Sequence, residues 1–308
     1  MKIKIIMAKF LALILLKNPV LEKLFCHLCS KPLLRKTLRL GGVAFGCVYA
    51  LNKPEIRLAQ LPGYKMYVNI AEPLGIRAYF FQDTSTLWLV SNLVDEGDIC
   101  MDVGANMGHY TFLMASKVGT RGKVVAFEPQ SNYFQMISNS IKLNNWEQFV
   151  SVENRAAWNI SGEKLKFYLS DNPNNSGTSS LVNHGLFLNN DKTTRVTTIS
   201  ISDYLREARF SQCKLIKIDV ERVELQVLQG MIALLESNSV DFIILEMYAH
   251  REAQKLLCKF GYSCFLLDSS QERIVPIIKI KQEHFGDYLF ISPQAWKNFR
   301  ECYAELML

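Results

Sequence analysis

The stretch DICMDVGANMGHYTFLMASKVGTRGKVVAFEP, residues 98–129, constrains this chain more than any other part of it. An apolar run at 99–103 reads as a strand entering the middle of a sheet, and it ends in the glycine turn Gly104-Ala105-Asn106-Met107-Gly108. Residues 110–118 have the composition of a helix packed back on that sheet, and 123–127 form a second buried strand with Glu128 at its carboxyl end. In an open α/β sheet the crevice beyond the strand ends takes ligands, and an acid after the second strand meets a ribose. The segment is therefore half of a nucleoside-cofactor site.

The type of nucleoside follows from the turn. A dinucleotide fingerprint needs Gly-x-Gly-x-x-Gly, so that backbone amides approach a pyrophosphate at a helix amino terminus. Here the spacing is Gly104-x-x-x-Gly108, with Asn106 at the position of the second dinucleotide glycine. A turn of this kind with a polar side chain suits the amino-acid tail of S-adenosylmethionine, and Asp102 is placed to help hold its ammonium. A tight strand-to-helix turn that needs glycine only for positive φ is the plain alternative.

A second segment, KLIKIDVERVELQVLQG at 214–230, reads as a short buried strand, an acidic turn and an amphipathic helix. Together the two segments resemble the FkbM family of methyltransferases. Members carry an Asp-x-Gly-Ala-Asn-x-Gly turn, matched by Asp102, Gly104, Asn106 and Gly108. They also carry Ile-Lys-x-Asp-x-Glu-Gly-x-Glu running into Leu-x-Gly, matched by Lys217, Asp219, Glu221, Glu224, Leu228 and Gly230. The resemblance spans residues 65–292. It departs at Arg222, where the family has glycine, and at Ile201-Ser202-Asp203, where a Leu-Asp-Asp pattern is usual.

The resemblance implies a Rossmann-like α/β fold with a seven-stranded methyltransferase sheet, mostly parallel with the last strand antiparallel, and S-adenosylmethionine as cofactor. The cofactor-binding set expected here is Asp102, Gly104, Asn106, Gly108, Glu128, Asn154 and Ala156. Asn154 and Ala156 follow a third strand at 149–153, where such enzymes border the adenine; an ordinary strand-end turn is the alternative. Methyl transfer is an in-line displacement, so alignment supplies much of the rate. A hydroxyl acceptor must also lose a proton to a base. Asp219 and Glu221 are the expected catalytic pair, with Glu224 further along the turn. Two or three of these carboxylates could instead hold a divalent ion, although no resident metal is expected. His109 and His250 are left outside the catalytic set, and Met107 and Tyr110 are expected to pack the helix on the sheet.

Further along, 131–143 reads as a helix capped by Ser131, and 165–169 as a strand. The polar segment DNPNNSGTSSL at 171–181 reads either as a lid or as a plain loop. Strands are expected at 215–218 and 241–245, and an antiparallel pair at 262–267 and 288–291, with a helix from 250 to 260 between them.

Charge divides the chain. Residues 1–60 hold eight lysines and three arginines against Glu22 and Glu55, a net of +9, so the +6 of the whole leaves −3 for residues 61–308. The expected division is a basic, apolar helical extension at 1–60 and a catalytic domain at 61–308. The mildly acidic larger part argues against a nucleic-acid partner. The first apolar run is interrupted by Lys4 and Lys9 and is too short for the ~20 residues of a bilayer span. The segment after it, Leu16-Lys17-Asn18-Pro19, lacks a small-residue cleavage pattern. The extension reads as a helical cap or as a region, residues 1–57, that touches a membrane surface. Eight scattered cysteines indicate a reduced, cytoplasmic interior rather than a disulfide framework. The acceptor expected from the resemblance is a hydroxyl of a small molecule, a sugar, or a glycan- or lipid-linked compound. A nicotinamide oxidoreductase, or a fold kept as an inert binding module, are the other classes the sequence leaves open.

Overall fold

The structure is a computed structural model that describes residues 2–37, 41–51, 53–82, 88–172, 174–183, 185, 188–249, 251–279 and 284–307. His250 lies outside the described residues. The chain opens with helices α1 (Lys2–Leu16), α2 (Pro19–Cys29), α3 (Pro32–Thr37) and α4 (Gly41–Ala50). A hairpin of β1 (Ile56–Leu61) and β2 (Tyr64–Asn69) follows, then α5 (Pro73–Ile76) and α6 (Trp88–Leu93). The alternating part begins with β3 (Ile99–Val103), α7 (His109–Val118), β4 (Lys123–Phe127), α8 (Ser131–Asn144) and β5 (Val150–Glu153). An inserted sheet is built from β6 (Ala156–Ala157), β7 (Lys164–Ser170) and β8 (Leu188–Ile199). After it come α9 (Ile201–Ala208), β9 (Cys213–Ile218), α10 (Glu224–Gln229), α11 (Ile232–Glu236), β10 (Val240–Tyr248) and α12 (Glu252–Lys259). The chain closes with β11 (Ser263–Asp268), β12 (Arg273–Pro276), β13 (Phe285–Ile291) and α13 (Pro293–Cys302).

The main sheet has eight strands in the order β12-β11-β13-β10-β9-β3-β4-β5. From β5 to β10 all neighbours are parallel, and β13 inserts antiparallel between β10 and β11. Seven of these strands form the expected methyltransferase arrangement. The eighth, β12, pairs antiparallel with β11 at the edge of the sheet, beyond the expected antiparallel pair. The parallel strands are apolar runs because both of their faces are covered. Along β3, Cys100 faces one apolar cluster with α7 and α8, while Met101 and Val103 face the other with α9, α10 and α11. From β3 the chain steps outward to β4 and β5, then returns to β9 on the other side of β3. That reversal opens a crevice beyond the carboxyl ends of β3 and β9.

One local expectation is corrected. Ser131 is the first residue of α8 rather than its cap. Gln130 holds the cap position with no side-chain bond to the helix, and its backbone N–H donates to the Glu128 carboxylate. The long strand β8 and the β1–β2 hairpin were not anticipated. The hairpin spans residue 60, the expected division of the chain. Side chains of α1, α2 and α4, namely Ala12, Leu15, Cys29, Ala44 and Cys47, belong to the same apolar cluster as the sheet. Buried Glu22 fastens α2 to the hairpin and to the segment after α5, accepting from Arg57 Nε (2.8 Å) and Tyr79 OH (2.9 Å). No helix among the described residues is long and apolar enough to cross a membrane.

Candidate active site

A cavity of about 520 Å³ lies at the switch point, lined from the strand ends by Asp102, Gly104, Glu128, Asp219 and Glu246. Its shape begins with the turn after β3. Gly104 sits at φ +84, and a Cβ there would lie 1.9 Å from the Asp219 carbonyl oxygen, so only glycine lets the β3 and β9 turns touch. The amides of Gly104 and Ala105 both donate to Phe127 O at 3.0 and 3.1 Å, which ties the turn to β4.

Asp102 is buried and accepts from both Thr111 N (2.8 Å) and Thr111 Oγ1 (2.5 Å), so its carboxylate is fixed against the first turn of α7. Burial pushes its pKa up to about 6, against the pull of the Thr111 bonds and the Lys217 charge. Glu128 accepts from Asn106 N and Gln130 N, each at 2.7 Å. Burial raises it to about 8 even though both amides favour the charged form. Asn106 adopts φ 51, and its Oδ1 is buried with no hydrogen-bond partner, one of several such atoms among the described residues. A buried polar atom of this kind is costly unless something fills its bond.

Two members of the expected cofactor set do not line the cavity. Asn154 turns its amide onto Glu128 O (2.9 Å) and Pro129 O (3.0 Å), so it supports the β4 end from behind. Gly108 caps α7 in the left-handed region and packs by the Phe112 ring. Ala156 does line the cavity.

The other end of the cavity is acidic. Asp219, Glu221 and Glu246 each present a carboxylate oxygen within 4.8 Å of the others. The antiparallel register of β10 with β13 sets Asp287 opposite Glu246. Lys217, buried in β9, reaches into the group with Nζ 2.8 Å from Asp287 and 3.6 Å from Asp219, and 5.3 Å from the centre of the Tyr110 ring. Burial works against the lysine's charge, but Asp287 and Asp219 outweigh it, and its pKa stands well above normal. Glu221 is raised to about 7 by burial and by Asp219, and Glu246 to about 8 by burial and by Asp219.

The sequence reading missed several of these groups. Lys217 was noted only as a motif match. Glu246 and Asp287 were not assigned, because only the fold sets β10 beside β9 and β13 beside β10. Tyr110 does more than pack: its ring meets the Lys217 cation in the cavity wall. His109 also lines the cavity, held by a hydrogen bond with the Leu74 backbone, and its Nε2 is buried without a partner. Burial lowers its pKa to about 4, so it is neutral at pH 7. Met107 packs as expected, fully buried, with Sδ accepting from Asn69 N (3.2 Å).

The 171–181 segment closes one side. Residues Asn175, Ser176, Gly177, Ser179 and Leu181 form part of the wall. Ser176 Oγ donates to Glu72 Oε1 (2.9 Å), which also accepts from Tyr133 OH and from Asn69 Nδ2 (2.8 Å). Ser180 Oγ donates to Glu221 O (2.6 Å), so the segment bridges the two ends of the cavity. Glu221 and Arg222 both take positive φ, 55 and 75, which explains why family members place glycine at the second position.

A parallel sheet with this switch point, a glycine turn touching the neighbouring strand end and an acid after the second strand define a Rossmann-like enzyme of the methyltransferase class. The chain belongs to the FkbM methyltransferase family, whose domain matches residues 102–272, from Asp102 into the β11–β12 turn. It is 26% identical over 194 residues to the hexuronic acid methyltransferase AglP of Haloferax volcanii, covering 58% of this chain and 74% of AglP. Solved structures similar to it include an SAM-dependent O-methyltransferase of Thermotoga maritima, at 12% identity and a TM-score of 0.35. That likeness covers 67% of this chain and 64% of the other. M. jannaschii TYW2, solved in complex with AdoMet, aligns at 10% identity and a TM-score of 0.41, over 78% and 87% of the two chains.

Proposed function

We propose that this protein transfers a methyl group from S-adenosylmethionine to a hydroxyl oxygen of a sugar, glycolipid or related metabolite. The residues present fit the cofactor. Asp102 and Glu128 offer carboxylates at the ends of neighbouring strands, and Asn106 has a buried amide oxygen with no partner beside them. Asp102 would take the ammonium of the amino-acid tail, Glu128 the ribose hydroxyls, and Ala156 would border the adenine. When bound, S-adenosylmethionine supplies a methyl group already activated as a sulfonium.

The observation that carries the reading is the carboxylate group of Asp219, Glu221 and Glu246 facing the same cavity as Asp102 and Glu128. A hydroxyl becomes a good nucleophile only as its proton leaves, and a carboxylate with a raised pKa is a better acceptor for that proton at neutral pH. Asp219 and Glu221 orient and deprotonate the acceptor, and Glu246 stands as a third base beside them. Lys217 holds Asp219 and Asp287 in place and keeps four acids from repelling one another. The name of AglP favours a sugar acceptor. One observation supports a second reading: three carboxylate oxygens within 4.8 Å of one another match the donors that hard divalent cations select. In that reading the ion would lower the hydroxyl's pKa.

The test is methyl transfer from labelled S-adenosylmethionine to a panel of neutral sugars, uronic acids, lipid-linked saccharides and amines, with and without EDTA. Mass gain on a hydroxyl, lost in Asp219→Asn, is the expected result. Transfer only to nitrogen would overturn the hydroxyl reading, and loss with EDTA restored by Mg²⁺ would favour the metal reading. Cofactor binding with no transfer to any acceptor would favour an inert binding module.

A further inference from the structure

Helices that pack in water bury their large apolar side chains and leave small or polar ones outside. The first helices of this chain do the reverse. The α1–α4 contact is made by small residues: Ala12, Ala44 and Cys47 are fully buried, and a Cβ on Gly46 would fall 2.5 Å from Ala8 O. Leu15 is buried and Phe25 and Phe45 pack on the core, but the other face of these helices carries large side chains pointing outward. On α1, Ile6 is 65% and Phe10 64% exposed, with Leu13 and Ile14 completing the i, i+4, i+7, i+8 face. On α2, Val20 is 75% and Leu24 54% exposed, and Leu33 of α3 is 76% exposed. Lys9, Lys17 and Lys23 are exposed on and between the same helices.

Small residues at the helix contact and large ones outside are what helices adopt when the medium around them is apolar. Lysines set among the apolar side chains suit the boundary where acyl chains meet anionic headgroups. The fifteen residues of α1 reach ~22 Å, short of the ~30 Å hydrocarbon core, so this face lies on a bilayer and does not cross it. A second copy of the chain is a poor occupant, since both partners would bring a segment of net charge +9 to one interface.

We infer that α1, α2 and α3 form a docking surface for a bilayer of anionic phospholipid. The apolar side chains enter the headgroup boundary and the lysines meet lipid phosphates. The surface stands whatever the cavity methylates. Behind it, α4 packs on α1 and runs on to Leu51, whose carbonyl accepts from Asn174 Nδ2 (3.1 Å) in the 171–181 segment.

Deleting the helices would uncover the core they share with the sheet, so the test uses full-length point variants. Wild-type protein is floated with vesicles of phosphatidylcholine alone and of phosphatidylcholine mixed with phosphatidylglycerol. It should rise with the mixed vesicles, far less with the neutral ones, and less as salt is added. Lys9→Gln/Lys17→Gln/Lys23→Gln should weaken binding to the mixed vesicles roughly a hundredfold, at about fivefold per lysine. Phe10→Ser/Ile14→Ser should abolish flotation. Both variants alter exposed positions and should keep the wild-type thermal midpoint. Equal flotation of wild type and both variants would overturn the proposal, as would failure to float on either vesicle. A dimer in light scattering that Phe10→Ser/Ile14→Ser dissolves and vesicles do not would assign the face to a second copy instead.

Discussion

Gly104→Ala tests whether the contact between the β3 and β9 turns is the keystone of the site. Alanine at φ +84 must occupy the left-handed region, which costs ~1–2 kcal/mol. Its Cβ would stand 1.9 Å from Asp219 O, about half an ordinary contact distance, and that neighbour is backbone with no rotamer to yield. Relief requires the strand ends to part, which breaks the Asp219 N to Val103 O bond of 2.9 Å, a further ~0.5–1.5 kcal/mol net. The total is about 1.5–3.5 kcal/mol, or roughly 3–14 °C in thermal midpoint for a domain of this size. Scanning calorimetry measures the midpoint, and titration with S-adenosylhomocysteine on the same protein should give a dissociation constant at least tenfold weaker. A midpoint within about 1 °C of wild type, with unchanged affinity, would refute the argument that this glycine exists for close approach.

Four other outcomes follow from the acidic end of the cavity and the turn that carries it. If Glu221 and Glu246 act as bases, transfer rates should climb as pH rises through about 7 and about 8; a flat pH–rate profile over pH 6–9 would remove them as bases. A folded pKa raised above the unfolded one gives stability that is present at low pH and lost as pH rises. Glu246→Gln should therefore gain stability relative to wild type between about pH 5 and 9 in paired melting curves, and a constant difference would contradict the raised pKa. Lys217→Met leaves Asp219 and Asp287 facing one another without their shared cation. Both acids reach water, so the loss should fall near or below the low end of the ~3–5 kcal/mol for a broken buried pair, read by urea unfolding. Arg222→Gly relieves φ 75 and should change stability by no more than about 1 kcal/mol, with transfer retained. Inactivity of the wild type beside an active Arg222→Gly would mark a chain that has lost catalysis.

What could be read from sequence and what could not divide along a physical line. The β3–turn–α7–β4–Glu128 unit was legible because a strand buried on both faces is a continuous apolar run, and because a turn at positive φ calls for glycine. The 214–230 motif was legible for the same reasons, down to the position of Arg222. Glu246, Asp287 and the lysine between them were not, because Asp287 is 70 residues from Lys217 and only the β10–β13 register brings it near. Asn154 follows β5 as the sequence places it, but only the fold shows its amide turned onto the carbonyls of Glu128 and Pro129. The β8 strand hid behind a polar sequence. The first fifty residues left cap and membrane contact open because their apolar side chains, with lysines set among them, do not single out one buried face in the sequence. Packing on the core accounts for one face of these helices, and the lipid proposal concerns the other.

The measurement that bears most directly on the central claim is calorimetric titration of S-adenosylhomocysteine into the wild type and into Glu128→Ala. The demethylated cofactor occupies the same pocket and cannot react. The account predicts saturable micromolar binding to the wild type and its loss in a Glu128→Ala protein that melts as a folded domain. No heat from a folded wild type, or equal binding by both proteins, would contradict it.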